Sequence, residues 1–142
     1  NKYCNLNLSK DELSKIAIKI GADVPFFVYE YNSANVTGIG EIVEKFDEEM
    51  LNIDTITPNI KCNTGEIFKV FRENFYKQIS KNEADKLFKM KSIEILNNLN
   101  INEANDLYEP AISVYPKLEE YAQNSWFFSG SGSSFFKVND VK

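Results

Sequence analysis

"WFFSGSGSSFFKV", Trp126 to Val138, carries two aromatic runs on either side of a serine and glycine turn. Aromatic side chains favour the pleated surface of a strand, and a short glycine-bearing connection lets the second run return beside the first. The stretch therefore reads as a β-hairpin, which makes at least part of the sheet antiparallel. Elsewhere strands and helices alternate, but further strands also fall in hairpins. That favours an α+β architecture, with helices on one face of a largely antiparallel sheet, over a doubly wound parallel sheet.

The other elements follow from local signals. In "LSKDEL", Ser9 and Glu12 have capping-box spacing, and Leu8 and Leu13 stand at the positions of a hydrophobic staple. Leu13, Ile16, Ala17 and Ile20 then mark one helical face, and Gly21 stands where a left-handed cap would end the helix. "DVPFFVYE", from Asp23, is expected to be a buried strand, because Pro25 biases Val24 toward β. "NSANVTGIGEIVEKF" reads as a turn and one or two strands, with Gly38 and Gly40 marking a bulge or a close backbone approach. The acidic "DEEMLNID" looks like a linker into a second unit that opens with the strand "IDTITPNI". "NTGEIFKVFRENFYKQI" offers a second capping box at Asn63 and Glu66, with Ile67, Phe68, Phe71 and Phe75 near one face. Helices are also expected around Ala84–Leu99 and Asn105–Gln123, the latter started or broken by Pro110 and Pro116.

Composition narrows the chemistry. The 142 residues are 43% hydrophobic and 26% charged, enough to build a core, and the net charge is −5. The lysines are scattered, which argues against nucleic acid as a partner. No apolar run approaches the roughly eighteen residues of a membrane helix. Cys4 and Cys62 are far apart and form no CxxC, so neither a zinc site nor a redox pair is visible, and a reducing cytoplasm is expected. The chain has no histidine, so acid–base work must fall to carboxylates, lysines or tyrosines. It begins with Asn1 and not with Met, as a fragment would.

Several groups could carry chemistry. Asp23, between a helix end and an apolar run, is expected to be partly desolvated; it either bonds turn N–H groups or acts as a poised base. In "SGSGSSFF" the glycines Gly130 and Gly132 let the backbone approach a ligand, and successive N–H groups with the hydroxyls of Ser129 and Ser131 could cradle a phosphate; a flexible turn explains the stretch equally well. "TGIGE", Thr37 to Glu41, fits a hairpin or bulge better than a ligand loop. The acidic groups Asp47, Glu48, Glu49 and Glu119, Glu120 fit a solvated surface, and no metal ligand is assigned. In "NDLYEP", Asn105 and Asp106 fit helix capping better than substrate contact.

Taken in order, "IGADVPFFV", "GIGE", "NDLYEPA" and "FSGSGSSFF" resemble the GHMP kinase superfamily over nearly the whole chain. The resemblance implies an α+β fold in which residues 1–48 end a ribosomal-S5-type N-terminal domain and residues 49–142 form a ferredoxin-like C-terminal domain. It implies transfer of a phosphoryl group from ATP, with Mg²⁺, to the 2-hydroxyl of a small-molecule substrate, a cytidine diphosphate-linked methylerythritol. Asp23 then matches the catalytic base. Thr64 and Phe68 match a substrate-lining turn and an aromatic that stacks on cytosine, and Ser129, Gly130, Ser131 and Gly132 match a glycine-rich motif beside the active site. The family's phosphate-binding loop and its lysine have no counterpart in this sequence, so the N-terminal part of the same enzyme is the expected partner and the chain alone is expected to be inactive. The alternatives are another small-molecule kinase of the superfamily and a non-catalytic α+β interaction module.

Overall fold

In the structure, a computed structural model that describes residues 2–123 and 125–139, the chain separates into two units, Asn1–Met50 and Leu51–Lys142. The first unit opens with α1 (Lys10–Ala17) on the capping box its sequence predicts. Ser9 Oγ accepts the Glu12 N–H at 3.2 Å, and Glu12 Oε2 accepts the Ser9 N–H at 2.8 Å. The buried face is rotated from the expected one. Ser14 and Ala17 are buried, whereas Ile16 and Ile20 are exposed. Gly21 is not left-handed; the helix runs out through a turn in which the N–H groups of Ile20 and Gly21 both donate to the Ala17 carbonyl. That carbonyl is satisfied without a positive φ.

The expected strand from Asp23 is instead a short helix, α2 (Val24–Tyr29). Pro25 sits in its first turn, where a missing N–H costs nothing and the fixed φ suits a helix, and its ring is buried. Pairing with α1 outweighs the β-propensity of the valines and phenylalanines. Tyr29 Oη donates to Asp11 Oδ1 at 2.8 Å, and Lys10 Nζ donates to the Tyr29 carbonyl at 2.8 Å and to Glu30 Oε2 at 3.0 Å. Glu30, at φ +58°, ends the helix. An antiparallel hairpin follows, β1 (Ala34–Thr37) and β2 (Ile42–Lys45), in register from Ala34 opposite Lys45 to Thr37 opposite Ile42. Gly38 and Gly40 lie in its loop and not in a strand interior.

The second unit is built on β3 (Ile53–Ile56), β4 (Phe127–Phe128) and β5 (Phe135–Val138), an antiparallel sheet in the order β3–β5–β4. The last two strands are the hairpin of Trp126–Val138. Period-two alternation sorts its phenylalanines: Phe128 and Phe135, directly opposite, face the core, and Phe127 stacks on Phe136 at 5.8 Å. Against the sheet lie α3 (Thr64–Val70) and α7 (Tyr108–Val114), and Ile67, Tyr108, Ala111, Leu118, Phe128 and Phe135 form the core. The Tyr108, Phe128 and Phe135 rings meet edge to face at 5.2 to 6.4 Å.

The second capping box is only half made. Asn63 Oδ1 accepts the Glu66 N–H at 3.1 Å, but the Glu66 carboxylate accepts the Tyr115 hydroxyl at 2.9 Å. After Val70 the helix widens into one π turn, Phe71–Phe75. The stretch expected as one helix around Ala84–Leu99 is two, α4 (Lys81–Lys89) and α5 (Ser92–Asn98), because Met90 is extended and Glu83 and Glu94 each accept an N–H at a fresh N-terminus, those of Ser80 and Lys91. The short α6 (Ile101–Ala104) starts the same way on Asn100 and Glu103. Pro110 lies in the first turn of α7 and Pro116 opens a 3₁₀ turn to Tyr121, both at starts, as expected. Among the described residues no helix is long and apolar enough to cross a membrane.

Candidate active site

In the first unit, Asp23 immediately precedes α2 and is exposed, which corrects the expected partial desolvation: the apolar residues after it curl into a helix and do not wall it in. Its carboxylate does not cap that helix and has no hydrogen-bond partner among the described residues. The turn role open to this residue is therefore not taken up. The "GIGE" loop comes against the same place. Gly40, at φ +112°, packs so closely that a Cβ there would stand 2.0 Å from the carbonyl oxygen of Ala22, the neighbour of Asp23. Two stretches distant in sequence thus share one backbone contact, and of the bulge or close approach expected of these glycines the close approach is found at Gly40. Glu41 is committed to its own loop, accepting the Ile39 N–H at 2.7 Å. Ser33 Oγ donates to Glu48, and among the described residues no group of three or more acids and cysteines is placed to hold a metal.

In the second unit the glycine-rich loop, residues 129–134, is tied down at both ends. Ser129 N–H donates to the Ser134 carbonyl at 2.9 Å, and Gly132 N–H to the Ser129 carbonyl at 3.0 Å. The N–H groups of Gly130, Ser131 and Ser133 have no acceptor among the described residues. Gly130 and Gly132 take φ +56° and +93°, as the notion of a glycine-shaped loop requires. Hydroxyls fix the second half: Ser133 Oγ donates to the Pro58 carbonyl at 2.8 Å, and the Ser134 and Thr57 hydroxyls lie 2.9 Å apart. Ser131 Oγ lies 2.8 Å from Thr64 Oγ1, joining the loop to the first turn of α3. Phe68, one turn further on the same face, is 39% exposed. Thr64, Phe68 and Ser131 are thus gathered at one place.

Sequence patterns singled out Asn105 as a helix-capping candidate and Tyr115 not at all, yet both hold this arrangement. Asn105 does not cap α7; its Oδ1 accepts the Leu107 N–H at 2.9 Å, and its Nδ2 donates to the carbonyls of Phe128 at 3.0 Å and Gly130 at 2.9 Å. Tyr115 Oη accepts the Asn63 N–H at 3.0 Å and so braces the start of α3. Cys62 lies behind Gly132, and burial pushes its thiol pKa up. Apart from the local Asn105–Leu107 bond, these pairings span 23 or more residues, and nothing in local spacing marks them. Asp106 bonds neither loop nor helix; it borders a groove of about 830 Å³, lined by Ile79, Leu87, Met90 and Leu99 among others, which contains none of the expected site residues.

Comparison with known proteins supplies the family. The chain is 46% identical over 140 residues to the 4-diphosphocytidyl-2-C-methyl-D-erythritol kinase of Sulfurimonas denitrificans, covering 99% of this chain and 53% of that protein. The chain belongs to the 4-diphosphocytidyl-2-C-methyl-D-erythritol kinase family. The kinases of that name from Sulfurovum sp. and Helicobacter pylori match at 44% and 36% identity, over 94% and 100% of this chain and 52% and 53% of theirs. The chain spans about half the length of the curated relatives it matches. A crystal structure of 4-(cytidine 5'-diphospho)-2C-methyl-D-erythritol kinase aligns with a TM-score of 0.63 at 23% identity, covering 94% of this chain and 49% of that one, so the fold is that of this kinase family. No family model matches. The α+β architecture and the kinase family expected from the four motifs are both found.

Proposed function

We propose that the chain is the part of a 4-diphosphocytidyl-2-C-methyl-D-erythritol kinase that carries the base and the substrate-lining turn, acting in the cytoplasm in non-mevalonate isoprenoid biosynthesis. Residues 1–48 belong to its N-terminal domain and residues 49–142 form its C-terminal domain. ATP donates the γ-phosphoryl group to the 2-hydroxyl of the substrate. The phosphate-binding loop and lysine that such a kinase needs are supplied by the half of the relatives' length that these 142 residues do not match, and without them the chain is inactive.

The observation that carries the proposal is the 2.8 Å pairing of Thr64 with Ser131, which joins the first turn of α3 to the glycine-rich loop beside the exposed Phe68 ring. A flat exposed aromatic suits stacking on a base. The N–H groups of Gly130, Ser131 and Ser133 suit anionic oxygens. Asp23 has a carboxylate with no hydrogen-bond partner among the described residues, and it takes or orients the proton of a tertiary alcohol too weakly acidic to ionise unaided. Mg²⁺, when bound with ATP, neutralises charge on the phosphates. Mg²⁺ is commonly held by one or two carboxylates and the phosphates themselves, and the described residues gather no cage of three or more acids or cysteines for it.

The test is phosphoryl transfer by the complete enzyme. Supplied with ATP, it should phosphorylate 4-diphosphocytidyl-2-C-methylerythritol in preference to homoserine or mevalonate. Preference for either of the others would move the protein to another kinase of the superfamily, and no transfer to any alcohol would leave an interaction module.

A further inference from the structure

We propose that Asn105 is a positioning residue that aims the amide of the glycine-rich loop at an anionic group of the bound ligand. The orientation of its own amide is fixed from three sides. Oδ1 accepts the Leu107 N–H at 2.9 Å, and Nδ2 donates to two carbonyls, Phe128 at 3.0 Å and Gly130 at 2.9 Å. Flipping the side chain would set an oxygen against two oxygens and an N–H against an N–H. The Phe128–Ser129 and Gly130–Ser131 peptide units are trans, so in each the C=O and the following N–H point in opposite directions. Holding the Phe128 carbonyl toward Asn105 turns the Ser129 N–H the other way, where it meets the Ser134 carbonyl at 2.9 Å. Holding the Gly130 carbonyl toward Asn105 likewise turns the Ser131 N–H to the side opposite Asn105, and that group has no acceptor among the described residues. Gly130 is the residue that can comply, since it sits at φ +56° with nothing within 4 Å of where a Cβ would stand. The first donation closes the hairpin and the second leaves a donor without an acceptor among the described residues, on the residue whose hydroxyl Thr64 already fixes. The ligand chemistry is a phosphate or diphosphate oxygen, which rests on the kinase assignment for its identity.

The test is an NMR titration of the chain with inorganic diphosphate, following the backbone amides of Gly130 and Ser131. The wild type should shift saturably at Ser131. Asn105→Asp keeps the acceptor for Leu107 and loses both donors, and should bind about tenfold or more weakly, the usual worth of a charge-assisted hydrogen bond. Thr57→Val loosens the loop only at Ser134 and should bind as the wild type does, a contrast that a general loosening of the loop does not produce. A folded Asn105→Asp chain with wild-type affinity overturns the proposal. If that variant does not fold, the wild type decides: the Asn105 side-chain amide protons should exchange more slowly than those of exposed Asn59, and equal rates overturn it. A wild type with no saturable change at Ser131 also overturns it, while phosphoryl transfer by the complete enzyme, measured separately, would still stand.

Discussion

Gly132 and Gly130 are both left-handed, yet replacing them with alanine should have different consequences. A Cβ at Gly130 meets nothing within 4 Å. Its cost is the backbone one alone, about 1–2 kcal/mol for a side chain in the left-handed region. A Cβ at Gly132, at φ +93°, would lie 2.5 and 2.9 Å from Cζ and Cε2 of Phe128 and 3.2 Å from Cys62 Sγ. Phe128 cannot give way freely, because it is buried and its ring packs edge to face on Tyr108 and Phe135. Overfilling such a core costs roughly 1–3 kcal/mol more, so Gly132→Ala should lose about 2–5 kcal/mol in all. The chain's one tryptophan, Trp126, packs against this core, so urea unfolding followed by its fluorescence reads the second unit alone. A Gly132→Ala chain as stable as Gly130→Ala would refute the packing behind the loop.

Gly40→Ala should damage the first unit in the same manner but against backbone, since its Cβ would sit 2.0 Å from the Ala22 oxygen; amide shifts should move at Ala22 and Asp23, and an unperturbed spectrum there would contradict the contact. Glu83 has its pKa lowered, chiefly by the Ser80 hydroxyl and then by the Ser80 N–H. A lowered folded pKa gives a contribution present above the unfolded value and lost as pH falls through the folded one. Carboxyl titration by NMR should accordingly place Glu83 below the ordinary range, and Ser80→Ala should bring it back toward that range; an unchanged titration would count against the cap. Cys4 is exposed, while burial raises the Cys62 thiol, so a thiol reagent near pH 8 should label Cys4 first, and equal rates would contradict the placement of Cys62 behind Gly132.

What the sequence disclosed depended on range. The Ser9 and Glu12 cap, the hairpin of Phe127 to Val138 and the helix starts at Pro110 and Pro116 are local devices, and each stands where its spacing puts it. "DVPFFVY" was illegible because proline is suited to both a strand start and a helix first turn, and the choice lay with Lys10 and Asp11 on a neighbouring helix. Glu66 could not be read as a half-made cap, since its competitor, Tyr115, is 49 residues away. The same holds at the site. Glycines at the loop were visible by type, but Asn105, which sets the direction of its amides, is bound across 23 and 25 residues by carbonyls that every residue possesses.

The central claim is that Asp23, whose carboxylate has no hydrogen-bond partner among the described residues, serves phosphoryl transfer. It is tested most directly by Asp23→Asn in the complete enzyme, with ATP and 4-diphosphocytidyl-2-C-methylerythritol at saturation. Because the side chain bonds none of the described residues, the variant should fold and unfold as the wild type does. Turnover should fall by about 10²–10⁴, the range for loss of a general base. A folded Asp23→Asn enzyme with near-normal turnover would contradict the assignment.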